Sequence, residues 1–176
     1  LENLFFSVSA TTRSKRPGEV HGKQYYFYDK ATFETMLAEG GLLEHADYVG
    51  DYYGTPAKPV YEALERGQDV LLELELVGAR KVKEKLSEAV MIFIAPPTLR
   101  ELERRLRGRG TDSEEKIQKR LARAREEIKA VKEFDYVIVN DMLADSVRDF
   151  KSIIYAERAK TEHLTGRDIA GFLKEL

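Results

Sequence analysis

The spacing of apolar and polar positions changes character near Asp69. Before it, short apolar runs alternate with Gly, Pro and polar clusters. Leu4–Val8 reads as a strand end, and the loop after it is stopped by Pro17-Gly18. Gln24–Tyr28 is a second strand, dense in tyrosine. Asp29 is placed to cap an amphipathic helix, Lys30–Glu39, with Phe33 and Leu37 four apart, and Gly40-Gly41 ends it. Leu42–Val49 follows as a strand, with Gly50-Asp51 turning into Tyr52-Tyr53. Pro56 favours a helix start after Thr55, which Gly67 closes at Arg66.

From Asp69 the runs lengthen. Val70–Leu76 is apolar with Glu73 and Glu75 inside it, and Ala89–Ala95 is continuously apolar, so both read as strands covered on two faces. Val77–Leu86 between them has helical spacing, which gives a βαβ unit. Thr98 and Glu101 form a capping box for a helix to Arg107. A second box, Thr111 with Glu114, opens a long charged helix to about Phe134. Val137–Asn140 is a further strand, followed by a helix to Lys160 with Leu143, Val147, Phe150 and Ile154 on its apolar side. A short helix, Asp168–Leu176, is expected in the tail, with no function assigned. The predicted class is α/β: a three-layer core with a parallel sheet and an early β-rich excursion.

Composition narrows the partners. A net charge of −2 offers no global basic field for nucleic acid or membrane. Charged residues at 34 % and apolar residues at 43 % are ordinary for a globular chain, if slightly charge-rich. There is no cysteine, hence no disulfide framework or thiolate chemistry, which fits a reducing cytoplasm. Neither an eighteen-residue apolar run nor a signal-peptide pattern is present. His21, His45 and His163 are scattered without ligand spacing and are left unassigned.

The loop Ser7–Tyr28 concentrates donors: Ser9, Thr11 and Thr12 hydroxyls, Arg13, Lys15, Arg16 and Lys23 cations, and tyrosine phenols. Phosphate offers only acceptors, and Arg grips it bidentately, so this loop suits a phosphate. The alternative is a solvated polar loop. Glu44 and Glu75 fall inside strand patterns, where a carboxylate is costly unless it has a partner. Exposed strand faces are the alternative there, for Glu73 especially.

The segment SVSATTR-x-x-R-x-GE-x-x-G-x-x-Y-x-F resembles the GMP-binding signature of guanylate kinases. The resemblance continues in family order to about Lys160, through Leu42–Pro56, Leu72–Ala79, Phe93–Pro97, Gly108–Thr111 and Val137–Asp141. It implies the nucleoside-monophosphate-kinase fold, with 9–68 as the GMP-binding region, 69–97 and 136–160 as core, 98–134 as lid and flanking helices, and 161–176 as a tail of one domain, 1–176. It implies that Arg13, Arg16, Tyr25 and Tyr53 hold the GMP phosphate. Glu44 and Glu75 would read the guanine edge, whose N1–H and exocyclic amine are adjacent donors that match a carboxylate, with Ser9 and Thr55 assisting. Arg105, Arg109 and Arg120 would be the lid cations that neutralise the transferring phosphoryl group. Asn140 would lie by the ATP adenine, or serve as a turn and helix cap. Glu73 would lie near the Mg²⁺ that accompanies ATP.

The sequence also departs from the family. Val77 stands where a glutamine is usual, and Gln24 where aspartate often precedes the tyrosine. No Gly-x-x-x-x-Gly-Lys followed by Ser or Thr occurs, so the first strand, phosphate loop and first helix of the fold are absent from the chain. A preceding segment of roughly 30 residues would supply them. The chain alone is accordingly expected to have little or no kinase activity, and with that segment to phosphorylate GMP and dGMP but not AMP. A non-catalytic guanylate-kinase-like interaction module is the alternative reading.

Overall fold

The computed structural model describes residues 1–48, 50–108, 110 and 112–160. Arg109, the Thr111 capping position, Val49 at the expected strand end and the expected tail helix lie outside the described residues. The chain divides into two compact units, Leu1–Ala89 and Val90–Leu176.

In the first unit, β1 (Leu4–Phe6), β2 (Ala10–Thr11) and β3 (Tyr26–Phe27) precede α1 (Lys30–Ala38). Asp29 caps α1 as expected, its carboxylate accepting from Thr32 N at 2.7 Å. β4 (Leu42–Tyr48), β5 (Asp51–Pro56), α2 (Ala57–Glu65), β6 (Asp69–Leu71) and α3 (Leu76–Lys85) follow. The strands β3-β2-β5-β4 form one sheet in that order, with β4 at its edge, while β1 and β6 pair in parallel.

Alternation along β2 and β5 separates a core face from a second face. Ala10 pairs with Gly54 and Thr11 with Tyr53. Ala10, Phe33 and Leu42 are buried together, with Tyr26, Tyr28, Met36 and Tyr52 around them. Gly54 has no room for a side chain: a Cβ there would stand 2.9 Å from Glu44 O and 3.1 Å from Phe33 Cζ. With Ala10 and Gly54 turned to the core, their neighbours Ser9, Thr11, Tyr53 and Thr55 project to the opposite face. Glu44 pairs with Thr55 across the β4–β5 ladder and shares that face.

Two expectations for this unit are corrected. The strand Val70–Leu76 is only Asp69–Leu71, and Leu76 already begins α3. Glu73 and Glu75 alternate with leucines in strand fashion, yet Glu75 occupies the N-cap of a helix. Glu75 is also exposed rather than buried.

In the second unit, β7 (Ile92–Ala95) pairs in parallel with β8 (Tyr136–Val139), and α4 (Leu99–Gly108), α5 (Glu114–Lys129) and α6 (Leu143–Arg158) complete it. Leu106, Ile117 and Leu121 form the α4–α5 core, with Leu102 beside them. Thr98 Oγ1 accepts from Glu101 N at 3.0 Å, as the first capping box requires. The cap of α5 is Ser113, which accepts from Lys116 N, and not Thr111. The last residues expected in that helix tighten into a 3₁₀ turn, Ala130–Glu133. Neither strand is covered on both faces: Ile94, Val137 and Val139 are about half exposed. On α6, Leu143 is 73 % exposed, so the apolar stripe expected to be buried is open at its first turn.

Candidate functional site

Arg13 leaves β2 with its backbone N–H on Thr11 Oγ1 at 3.1 Å. Its guanidinium stands 5.4 Å from the centre of the Tyr25 ring and 5.6 Å from that of Phe27. Tyr25 and Tyr53 meet edge to face at 6.0 Å. Three of the four expected phosphate ligands are therefore neighbours.

A residue present in the sequence motif but given no role there ties Arg13 to the Arg16 backbone. Glu19 accepts both forks of Arg13, at 3.0 and 2.8 Å, and also the Arg16 backbone N–H at 2.7 Å. Its spacing, six residues after Arg13 and three after Arg16 in a loop, was the available signal. Arg16 itself is exposed and joins the cluster through that backbone contact. Glu19 also closes the loop that Gln24 braces, with Gln24 Oε1 accepting from Val20 N at 2.8 Å.

The Arg13 pairing, then the Arg16 backbone N–H, lower the Glu19 carboxyl from its ordinary 4.5 to about 2. Its folded value lies below the unfolded one, so its stabilisation is present above about 4.5 and is lost as pH falls through about 2. An NMR titration of the Glu19 carboxyl should find a midpoint near 2, rising toward 4.5 in Arg13→Ala. A midpoint near 4.5 in the unsubstituted chain would show that the pair does not form. Arg13 is raised chiefly by the same bond, and burial raises Tyr25.

Glu44 is 5 % exposed and Thr55 1 % exposed. The Thr55 hydroxyl donates to Glu44 Oε1 at 2.8 Å. Burial raises the Glu44 carboxyl, while the Thr55 hydroxyl and the Lys81 and Lys85 cations oppose that rise. The other oxygen, Oε2, lies against Gly78 in the first turn of α3, where free N–H groups favour an anion. Glu75, the N-cap of that helix, is three residues from Gly78. Tyr53 and Thr55 are two residues apart on one strand, roughly 7 Å along it. Cations with phenols thus sit one strand step from a buried carboxylate. Ser9 is half-buried on the same face.

In the second unit Arg105 donates to Glu101 Oε1 and to the Asn140 carbonyl, each at 2.7 Å. It braces the turn after β8, where Asn140 N–H returns to Ala95 O at 2.7 Å and Ser146 Oγ reaches Asn140 Oδ1 at 3.4 Å. Arg120 pairs with Asp112 at 3.5 Å. Glu73 is exposed. Among the described residues no group of three or more His, Asp or Glu is placed to hold a metal ion. None of the described helices is long and apolar enough to cross a membrane.

A family model described as Guanylate kinase matches residues 2–157. A guanylate kinase of Thermus thermophilus is 57 % identical over 158 residues, which is 90 % of this chain and 72 % of that protein. That of Carboxydothermus hydrogenoformans is 52 % identical over 165 residues, covering 94 % and 81 % respectively. The crystal structure of guanylate kinase from Anaplasma phagocytophilum superimposes with a TM-score of 0.82 at 37 % identity, covering 94 % of this chain and 81 % of that one.

Proposed function

Because this chain belongs to the guanylate kinase family, we propose that the Ser9, Thr11, Tyr53 and Thr55 face of its first unit is the GMP seat for ATP + GMP ⇌ ADP + GDP. The observation that carries this reading is the Arg13–Tyr25–Tyr53 cluster set one strand step from the buried Glu44–Thr55 pair. Arg13 and the two phenols take the GMP phosphate, and Arg16 adds a second cation. Glu44 accepts from guanine N1–H and the exocyclic amine, with Thr55 fixing its orientation and Glu75 and Ser9 assisting. Adenine presents an acceptor at N1, so Glu44 would face it acceptor to acceptor.

Transfer is direct and in line, without a covalent intermediate. Arg105, Arg109 and Arg120 supply positive charge to the transferring group, which is where phosphoryl transfer takes most of its catalysis. Asn140 serves the adenine of ATP, and Mg²⁺ arrives with ATP as part of that substrate. The reaction belongs to purine nucleotide supply in the cytoplasm.

Calorimetric titration tests the reading. GMP and dGMP bind to the same site, and AMP binds at least about 100-fold more weakly, the scale expected when a buried polar group is left unmatched. AMP binding as tight as GMP would remove the guanine-reading role of Glu44.

A further inference from the structure

The buried Glu44 carboxylate lies between two elements, β5 with its Thr55 hydroxyl and α3 on the other side. Glu44 belongs to β4, the edge strand, whose outward backbone groups have no strand partner among the described residues. The carbonyls on either side of it are taken by α3. Lys81 Nζ donates to His45 O at 2.6 Å, and Lys85 Nζ donates to Leu43 O. Between these anchors the Glu44 side chain reaches the first turn of the same helix. A Cβ at Gly78 would stand 2.8 Å from Glu44 Oε2 and 3.3 Å from Cδ, so the carboxylate occupies the space that any other residue would fill.

Gly78, Lys81 and Lys85 are spaced three and four apart and so fall on one face of α3. Each does a different part of one task. Gly78 leaves room for the carboxylate, and Lys81 and Lys85 pin the strand on both sides of it. The two ammonium groups also bring positive charge to the buried carboxyl, which opposes the rise that burial imposes on it. The neighbouring His45 is lowered by burial first and then by the same two cations.

The geometry points to the Gly78–Lys81–Lys85 face of α3 as the positioning device that holds Glu44 for guanine, making it a determinant of base specificity that touches no nucleotide itself. This rests on the reading of Glu44 as the guanine acceptor. The device acts on the base and not on the phosphate, which Arg13 holds from another part of the unit. Its loss therefore changes discrimination between GMP and IMP, since IMP lacks the exocyclic amine that the second carboxylate oxygen accepts.

The test measures GMP and IMP affinity by calorimetry in Lys81→Met, Lys85→Met, Gly78→Ala and Glu44→Gln, with thermal unfolding run alongside. The lysine variants should lose about tenfold in GMP affinity and a smaller factor in IMP affinity, since IMP keeps the N1–H but not the amine, so the GMP preference shrinks. Lys81→Arg should restore most of it, because a guanidinium also donates to the His45 carbonyl. Gly78→Ala should reproduce the loss; if it unfolds, the lysine pair decides alone. The proposal is overturned if both lysine variants keep the GMP preference within about twofold of the unsubstituted chain while Glu44→Gln loses it. If Glu44→Gln also keeps the preference, Glu44 is not the guanine reader, and both the reading and this inference fall.

Discussion

Arg13→Ala is expected to weaken GMP binding by roughly 10- to 150-fold, the equivalent of about 1.5–3 kcal/mol for a hydrogen bond to a charged group. Arg13 supplies the forked cation of the cluster and stands over the Tyr25 ring. Truncation removes that charge and leaves the Glu19 carboxylate without its guanidinium partner, facing the same space. An anionic phosphate then meets an anion where it met a cation. The effect should fall as salt rises, since part of it is charge on a group only partly shielded from solvent. Titration calorimetry at two salt concentrations reads both quantities. An unchanged affinity would move the phosphate site away from this loop.

Phe33→Ala is expected to destabilise the fold by about 3–5 kcal/mol, the usual cost of emptying a large aromatic site. Phe33 is fully buried and lies beside Tyr52, with ring centres 5.6 Å apart. It sits beneath Gly54, the residue of β5 between Tyr53 and Thr55. The loss should therefore appear twice: as a lower urea midpoint, and as weaker GMP binding through a less rigid β5. A variant with the original midpoint would mean that Phe33 is not the centre of this core.

Local signals carried the elements that could be read in the sequence. Asp29 and Gly40-Gly41 bracket α1, and its observed span, Lys30–Ala38, ends one residue before the expected one. Pro56 and Gly67 bracket α2 in the same way. β6 is shorter than its pattern predicts because two periodicities overlap after Leu71, whereas α3 lies within one residue of the expected span. Glu73 and Glu75 alternate with leucines like a strand, but the backbone has left the sheet after Leu71 and turns helical at Leu76. Propensity alone does not say where sheet pairing stops, because the partner, β1, lies far away in the chain.

The site divides along the same line. Arg13, Tyr25 and Tyr53 are neighbours, and Glu44 pairs separately with Thr55. Lys81 and Lys85 gave no such signal. Their partners are backbone carbonyls 36 and 42 positions away, and a carbonyl leaves no mark on the residue that carries it. Glu19 was visible as a letter of the motif, yet its bidentate grip on Arg13 appears only once the loop has closed. Gly78 is similar: its requirement comes from a carboxylate on another strand.

A crystal structure of the chain soaked with GMP decides whether the Ser9, Thr11, Tyr53 and Thr55 face seats the nucleotide. The phosphate should lie against the Arg13 guanidinium with the Tyr25 and Tyr53 hydroxyls, and the guanine edge against the Glu44 carboxylate. Nucleotide density that leaves Glu44 uncontacted, or lies away from Arg13, would contradict it.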